Sequence, residues 1–375
     1  MKIGFDAKWF FDGPISGKVV LQNTLPNLFE LYPEHDWFLF FDKKDELALL
    51  PFYGPNIHVH YVWAGFNMLS NLFVLPFYIK KLKLDVMVFQ NFSIRRKNCK
   101  SIVFIHDILF EYLPEYFTWK ERLYFKPMKW SSLHADRIIT TTEFVKKDLQ
   151  KYNYATNLAA IDIVPLGVSN RFKPLVMHDN ISIEKVKEKY NLPEQYLLFV
   201  GRLNIRKNIQ GLLNALPLLG NNDIPLIIVG KTDWKVPQLD NLLSEESIKK
   251  RVLFTGAVKD DELAIIYALA KVFCFPSFAE GFGLPPIEAM ASGIPVVVSG
   301  RTALPEVCGA AGNFIDPDDP SGIAAMIDKL LEDQQLYETK VQQGLFWASQ
   351  FSWQRTAKRL MESIQLSYGT NHLNK

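Results

Sequence analysis

Glu280-Gly-Phe-Gly-Leu-Pro-Pro-Ile-Glu288 is the stretch that decides the fold of this 375-residue chain. The apolar run before it, Val272-Phe-Cys-Phe-Pro276, predicts a buried strand, and Ala289-Met-Ala-Ser-Gly293 after it predicts a short helix that ends at glycine. A strand, a glycine loop and a helix in this order let backbone N–H groups and a helix N-terminus bind an anion. The two glutamates can accept hydrogen bonds from hydroxyl groups, so the stretch predicts a site for a sugar nucleotide.

The bulk composition fits two globular domains in a reducing cytoplasm. A length of 375 residues exceeds one ordinary hydrophobic core, and a net charge of +2 is too small to indicate a nucleic-acid partner. Cys99, Cys274 and Cys308 show neither metal-ligand nor disulfide spacing. The N-terminus predicts a strand in place of a signal peptide, and no apolar run has the length of a membrane span.

Short β-rich runs alternate with amphipathic segments along the whole chain, which is typical of parallel sheets covered by helices on both faces. The strands predicted in the first half are 3–5, 38–41, 58–62, 86–89, 102–105, 138–141 and 161–164. Those predicted in the second half are 197–200, 225–229, 252–254, 272–275 and 296–298. Residues 171–189 between the two series carry mixed charges and no clear strand, so they are predicted to be a linker.

A basic loop follows the predicted strand 197–200. It reads Gly201-Arg-Leu-Asn-Ile-Arg-Lys-Asn208 and precedes a predicted helix. Arg202 offers a planar fork for phosphate oxygens and Lys207 a compact charge, so the loop suits a diphosphate. A solvated basic loop is the structural alternative, but ligand sites concentrate at strand ends.

The two glutamates also have structural alternatives. Glu288 could complement the dipole of the helix in whose first turn it is expected, and Glu280 could be an exposed loop carboxylate. Neither alternative explains both acids together with the glycines between them.

The basic loop and the E-x7-E segment together resemble the motifs of group 1 (family 4) retaining glycosyltransferases, with a mild likeness to mannosyltransferases. Looser matches lie in the first half and at the C-terminal helix: Asp6…Gly17, Ile105-His106-Asp107, Thr142-Glu143-Phe144, Val164-Pro-Leu-Gly167-Val168 and Phe351-Ser352-Trp353. The resemblance implies the GT-B fold: an α/β protein of two Rossmann-like domains whose parallel sheets face each other across a cleft. The implied domains are an acceptor domain (1–175), a nucleotide-sugar donor domain (176–350) and a C-terminal helix (351–375) that crosses back to the first domain.

The same resemblance implies a role for each matching residue. Arg202 and Lys207 would hold the donor diphosphate, Glu288 would bind ribose hydroxyls, and Glu280 would bind hydroxyls of the transferred sugar. The residues with a catalytic part would be His106, Arg202, Lys207 and Glu280. The remaining donor-binding positions would be Gly17, Gly201, Val258, Gly281, Phe282, Gly283 and Leu284.

Gly17 and His106 lie outside the two motifs that carry the resemblance. The first loop, Gly13-Pro-Ile-Ser-Gly17, departs from the two closely spaced glycines of many relatives, although Gly17 would still let backbone approach the phosphate. His106 follows a predicted strand, where a cleft residue should lie, and its structural alternative is a core or capping histidine. Asp107 is expected to be a structural cap.

The implied function is the transfer of a hexose, mannose or a similar sugar, from a nucleoside diphosphate sugar to a saccharide or lipid-linked saccharide, with retention, in surface polysaccharide biosynthesis. No cofactor and no metal are expected, because the acidic stretch 316–320 is explained by capping of the next helix. The alternatives are a sugar-nucleotide epimerase of the same architecture, a phosphorylase, and a non-catalytic nucleotide-sugar sensor.

Residues 116–130 mix aromatic and basic side chains. This mixture suits peripheral contact at the inner face of a membrane or a glycolipid acceptor, and ordinary core packing is the alternative.

Overall fold

The computed structural model describes residues 1–63, 65, 67–94, 99–155, 161–221, 223–230 and 237–369. The chain divides into two compact units, Met1–Gly167 with Ser352–Lys375, and Val168–Phe351. The division falls before residue 175 because Arg171 and Phe172 contact the second unit. Arg171 pairs with Asp260 at 3.0 Å, and the ring of Phe172 packs edge-on against Tyr267.

The first unit contains a wholly parallel sheet, with seven strands among the described residues, in the order β3-β2-β1-β4-β5-β6-β7. All seven strands predicted for this half are present: β1 Lys2–Asp6, β2 Asp36–Asp42, β3 Ile57–Val62, β4 Val86–Gln90, β5 Lys100–Phe104, β6 Arg137–Thr140 and β7 Ile161–Ile163. The strand order reverses between β1 and β4, which is where an open α/β sheet binds ligands.

Helices cover this sheet. They are α1 Ile15–Leu31, α2 Asn67–Leu69, α3 Leu75–Leu82, α4 Trp119–Phe125, α5 Met128–Ser132 and α6 Glu143–Lys151, with a π-helical turn Ser70–Val74 before α3. The apolar sides of α3 to α6 pack on a core that contains Phe40, Phe89 and Ile138. Burial of these large side chains is the main stabilising contribution in this unit.

The second unit contains another wholly parallel sheet, in the order β10-β9-β8-β11-β12-β13. Its strands are β8 Leu197–Val200, β9 Leu226–Val229, β10 Val252–Gly256, β11 Val272–Phe275, β12 Val296–Ser299 and β13 Asn313–Ile315. The prediction missed β13, because three residues with an exposed Phe314 in the middle give almost no apolar pattern.

The helices of the second unit are α7 Asn180–Tyr190, α8 Ile209–Ala215, α9 Pro237–Ser244, α10 Glu246–Lys249, α11 Asp260–Leu269, α12 Leu284–Ala291, α13 Leu304–Cys308, α14 Pro320–Glu332 and α15 Gln334–Ala348. The prediction of a linker over 171–189 was therefore wrong in its second half. Asp179 caps α7 by accepting from the Ser182 N–H at 2.8 Å, and the helix buries Ile183 and Val186. The mixed charges of α7 lie on its exposed face.

The C-terminal helix, α16 Trp353–Gly369, returns to the first unit as predicted. The Ser352 hydroxyl caps it by accepting from the Arg355 N–H at 3.2 Å. The helix packs against α1, and the Thr356 hydroxyl donates to the Pro165 carbonyl at 2.7 Å.

Candidate functional site

The site lies at the carboxyl end of the second sheet, where the strand order reverses between β8 and β11. The loop after β11 runs to Gly283, which precedes α12 and has φ of +100°. A Cβ built there would lie 2.6 Å from Leu304 Cδ2, so both the backbone angle and the packing require glycine. The predicted order of strand, glycine loop and helix is therefore present.

The basic loop after β8 is held by two asparagines. The Asn204 side chain accepts from the Lys207 N–H at 3.1 Å. Asn208 is buried, and its amide donates to the carbonyls of Pro276 at 3.1 Å and Pro317 at 2.7 Å. Asn208 thus ties the loop after β8 to the loop after β11, which fixes the two sides of the site relative to each other.

A buried ion cluster joins these two loops. The Glu280 carboxylate lies 2.7 Å from Lys207 Nζ and 2.9 Å from Arg206 Nη1, and the residue is 6% exposed. Burial by itself would raise the pKa of Glu280, but the charges of Arg206 and Lys207 outweigh it and hold the pKa at about 2. The carboxylate is therefore ionised throughout the physiological pH range.

The cluster contains contacts that the sequence did not indicate. Glu280 was assigned to sugar hydroxyls and Lys207 to phosphate, yet here the two side chains bind each other. Arg206, for which the sequence indicated no individual role, is the second partner. The Lys207 ammonium also lies 4.5 Å from the centre of the Phe275 ring, a cation–π contact at the end of β11. Arg202 lies on the same loop with an exposed side chain.

The pKa of the second glutamate is shifted in the opposite direction. Glu288 accepts a hydrogen bond from the Tyr267 hydroxyl at 3.0 Å. Burial is the main cause that raises the pKa of Glu288 to about 7, and the hydrogen bond from Tyr267 opposes it. Tyr267 is fully buried in α11, and the apolar pattern of that helix gave no sign of this role.

The position of Glu288 also weakens its structural alternative. Because α12 begins at Leu284, Glu288 lies in the second turn and not in the first turn as expected. A helix dipole acts mainly on charges within the first turn. Complementing the dipole therefore does not account for this glutamate.

Of the remaining donor positions in the second unit, four lie between the two carboxylates in sequence and two lie on other loops. Phe282 is buried, and its ring packs against Phe351 with ring centres 6.1 Å apart. Gly281, Gly283 and Leu284 belong to the same loop and helix start, and Gly201 donates its N–H to the Val229 carbonyl at 2.9 Å. Val258 lies half-buried between β10 and α11, the helix that supplies Tyr267.

Gly17 lies in the first unit and has a packing role that the sequence did not indicate. It is inside α1, not in the loop before that helix, and a Cβ there would lie 2.4 Å from Trp9 Cε3. Close packing against Trp9 therefore requires glycine at this position. This corrects the expectation of a loop glycine.

His106 follows β5 and stacks on Phe104 with ring centres 4.6 Å apart. Burial lowers the pKa of His106 to about 4, so the ring is neutral at pH 7. Its Nε2 is buried without a hydrogen-bond partner among the described residues. The neighbouring Asp107 accepts from the Leu109 N–H at 3.2 Å, as expected of a structural cap.

A buried polar network that the sequence did not reveal lies where the first sheet reverses its order. Lys8 Nζ donates to Asp6 at 2.6 Å and to Asn71 at 2.8 Å, and Asn71 donates to the Phe92 carbonyl at 2.7 Å. All three polar residues are at most 3% exposed. The network joins the loop after β1 to the π-helical turn, an element often found at functional sites.

The acidic stretch 316–320 is not explained by capping. Asp316 and Asp318 pair with Arg301 at 2.5 and 2.6 Å, and Asp319 precedes α14 without a side-chain capping bond. Within the described ranges, no group of three or more His, Cys, Asp or Glu side chains is placed to hold a metal ion.

Two family models match the chain. The model described as glycosyl transferases group 1 matches residues 180–344, and the model described as glycosyltransferase family 4 matches residues 35–171. The match to the second of these includes His106, and the match to the first includes the ion cluster.

Curated relatives and solved structures agree with these models. The chain is 34% identical over 283 residues to O-antigen chain mannosyltransferase B of Escherichia coli, covering 74% of this chain and 73% of the relative. It is 35% identical over 239 residues to the serotype-specific mannosyltransferase WbdA of Escherichia coli, covering 61% of this chain but only 29% of that relative. Sucrose-phosphate synthase from Thermosynechococcus elongatus superposes with a TM-score of 0.79 at 20% identity, over 99% of this chain and 100% of that one. This likeness shows the predicted two-domain GT-B fold.

The contrast between the two glutamates predicts opposite effects of glutamine substitutions on stability. The folded-state pKa of Glu288, about 7, lies above its unfolded value, so this carboxyl destabilises the fold increasingly as the pH rises through that interval. Glu288→Gln should therefore raise the melting temperature at pH 8, and the gain should shrink towards pH 5. Glu280→Gln should lower it at both pH values, because two half-buried cations lose their buried counter-charge.

Melting temperatures of the two variants and the parent protein, measured from pH 5 to pH 8, check this expectation. A gain for Glu288→Gln that is the same at every pH would contradict the raised pKa of Glu288. A Glu280→Gln variant as stable as the parent would contradict the ion cluster.

Proposed function

Because the chain belongs to the group 1, family 4 glycosyltransferases, we propose that it transfers a hexose, mannose or a similar sugar, with retention, from a nucleoside diphosphate sugar to a saccharide or lipid-linked saccharide. The observation that carries the proposal is the cluster of Arg206, Lys207 and Glu280 at the reversal of the second sheet. The O-antigen mannosyltransferases among its relatives support mannose as the sugar and surface polysaccharide as the product.

The donor would bind to the second unit. Its diphosphate would contact Arg202 and Lys207, whose charges and fork geometry suit phosphate oxygens. Binding would draw Lys207 partly away from Glu280 and leave a carboxylate that accepts hydrogen bonds from sugar hydroxyls. Glu288 would bind the ribose, and the hydrogen bond from Tyr267 would hold the Glu288 carboxyl in place.

The state of Glu280 favours front-face chemistry over a double displacement. A carboxylate with a pKa of about 2, paired with two cations, is a weak nucleophile. In the front-face route the diphosphate begins to leave and positive charge grows at the anomeric carbon. The acceptor hydroxyl then attacks from the same side and gives its proton to the departing phosphate oxygen. Configuration at the anomeric carbon is thereby retained.

His106 would act as a neutral hydrogen-bonding group. Its lowered pKa leaves it uncharged at pH 7, so its Nε2 can form a hydrogen bond with a hydroxyl of the sugar. A cationic imidazole would instead repel the positive charge that develops at the anomeric carbon. Its neutral state therefore suits this chemistry.

Substitution of the proposed phosphate ligands tests the reaction. Arg202→Ala and Lys207→Ala should each lower kcat/KM for sugar transfer roughly 100-fold or more, because a preorganised charge on the leaving group is lost. Lys250→Ala is the matched control. This exposed lysine precedes β10 and therefore lies at the amino ends of the strands, whereas the site lies at their carboxyl ends. Activity would be measured with nucleoside diphosphate hexoses and saccharide acceptors, and the product anomer identified by NMR.

Each outcome of this assay separates the alternatives. Full activity in both variants would remove the phosphate assignment, and an inverted product would exclude retention. Conversion of the donor without an acceptor would indicate an epimerase, and a need for inorganic phosphate would indicate a phosphorylase. Binding of nucleotide sugar without turnover would indicate a sensor.

We further propose that no metal ion takes part. The charge of the leaving diphosphate would be met by Arg202, Lys207 and the N-terminus of α12. Transfer should then be unchanged, within about twofold, after dialysis against EDTA and assay in its presence. Loss of activity that Mg²⁺ or Mn²⁺ restores would contradict this part of the proposal.

Peripheral contact with the cytoplasmic face of a membrane completes the proposal. Of residues 116–130, Phe117, Tyr124 and Phe125 pack on the core, whereas Trp119, Leu123 and Trp130 are more than half exposed. None of the described helices is long and apolar enough to cross a membrane.

A neighbouring element extends this exposed surface. The π-helical turn and α3 expose Phe73 and Phe77. Phe92 links the two elements, because its ring contacts Tyr124 and its carbonyl accepts from Asn71 in the turn. The exposed basic residues on them are Lys80, Lys81, Lys120, Arg122 and Lys126. Exposed aromatic and cationic side chains together suit an anionic lipid surface.

Vesicle binding tests this contact. The protein should sediment with vesicles that contain anionic phospholipid and not with purely zwitterionic ones. Trp119→Ser and Trp130→Ser should each weaken binding roughly tenfold, because each removes the free energy gained by burying one large apolar side chain. Phe346→Ser, at an equally exposed aromatic in α15 of the second unit, is the control. Equal binding by all variants would exclude this surface.

A further inference from the structure

Thr302, in the turn after β12, has a backbone conformation that its side chain disfavours. Its φ is +58°, in the left-handed region. The other non-glycine residues with positive φ in the described ranges are four asparagines and one lysine, so Thr302 is the β-branched member of this group. A branched Cβ crowds the backbone there, and such strain persists only where the surroundings enforce it.

The strained residue binds the backbone of Glu280. The Thr302 hydroxyl accepts from the Glu280 N–H at 2.9 Å and donates to the Arg301 carbonyl at 2.8 Å. The N–H of the next residue, Ala303, lies 3.4 Å from the Glu280 carbonyl and donates to it. The turn therefore holds Glu280 through both of its backbone polar groups.

The turn itself is anchored on its other side. Arg301 pairs with Asp316 and Asp318, in the segment that follows β13. These ion pairs lie at the surface and the hydroxyl bond lies next to the buried cluster, so Thr302 connects an external anchor to Glu280. A glycine would adopt the same φ without strain but would leave the Glu280 N–H without this acceptor.

We propose that Thr302 is a positioning residue for the transfer reaction. Its hydroxyl fixes the backbone of Glu280, and this keeps the carboxylate aligned between Arg206 and Lys207 and towards the transferred sugar. The inference rests on the proposed function for its catalytic consequence. Its structural part, the control of Glu280 by the hydroxyl, stands on the contacts alone.

Three substitutions separate the hydroxyl from the strain. Thr302→Ser keeps the hydroxyl, Thr302→Val keeps the shape without it, and Thr302→Gly removes both the hydroxyl and the strain. Thr302→Ser should transfer sugar within about threefold of the parent. Thr302→Val and Thr302→Gly should both lose roughly tenfold or more in kcat, although the glycine variant should melt at a higher temperature than the valine variant.

Two further measurements distinguish positioning from general damage. The affinity for a nucleoside diphosphate without sugar, measured by calorimetry, should change less than about twofold in all three variants, because the Thr302 hydroxyl bonds to the backbone of Glu280 and Arg301. Hydrogen exchange of the Glu280 N–H should accelerate at least tenfold in the valine and glycine variants and not in the serine variant.

The outcomes distinguish this inference from the proposed function. Full transfer activity in Thr302→Gly, or unchanged exchange of the Glu280 N–H in the glycine variant, would overturn the role of Thr302. Parent protein that transfers no hexose while the exchange pattern holds would overturn the reaction and leave the structural control of Glu280 established. If Thr302→Val fails to fold, the glycine and serine variants still decide the question.

Discussion

The second unit depends on one buried interaction, the pairing of the Glu280 carboxylate with Arg206 and Lys207. The two cations lie in the loop after β8 and the glutamate lies in the loop after β11. The order of the sheet reverses between these two strands. A buried carboxylate that lost either cation would be costly, so the pairing constrains both loops at once. Asn208 and Thr302 reinforce the constraint through hydrogen bonds to backbone groups. The geometry of the site therefore follows from the need to pair the buried charge of Glu280.

The same environment separates the two glutamates of the motif into different chemical roles. Glu280 is ionised because two cations surround it, and the pKa of Glu288 is raised to about 7 because the Tyr267 hydroxyl and the charge of Arg171 offset its burial only in part. Two carboxylates eight residues apart thus differ by several units in pKa. In the reaction proposed above, the strongly paired anion and the weakly acidic carboxyl would bind different hydroxyls.

Local sequence patterns predicted most strands and helices of the fold. The elements that they missed can be explained by their own length and exposure. Near-continuous apolar runs identified every strand of the first sheet, because strands buried on both faces carry that pattern. The pattern failed at β13, which is too short and too exposed to show it, and at α7, whose charged face concealed two buried residues. Gly17 was predicted to lie in a loop, but it lies inside α1, and its packing against Trp9 is a contact that no local pattern indicates.

The sequence alone determined the two parallel α/β units and the identities of the charged residues at the strand ends, because periodicity and residue chemistry are local properties. Only the tertiary structure decided which charges meet. Lys207 and Glu280 are 73 positions apart, and Tyr267 and Thr302 lie 21 and 22 positions from the glutamates they contact. Such pairings arise when neighbouring strands bring their carboxyl ends to one edge of the sheet. The pKa values and the strain at Thr302 depend on that convergence, so no stretch of sequence contains them.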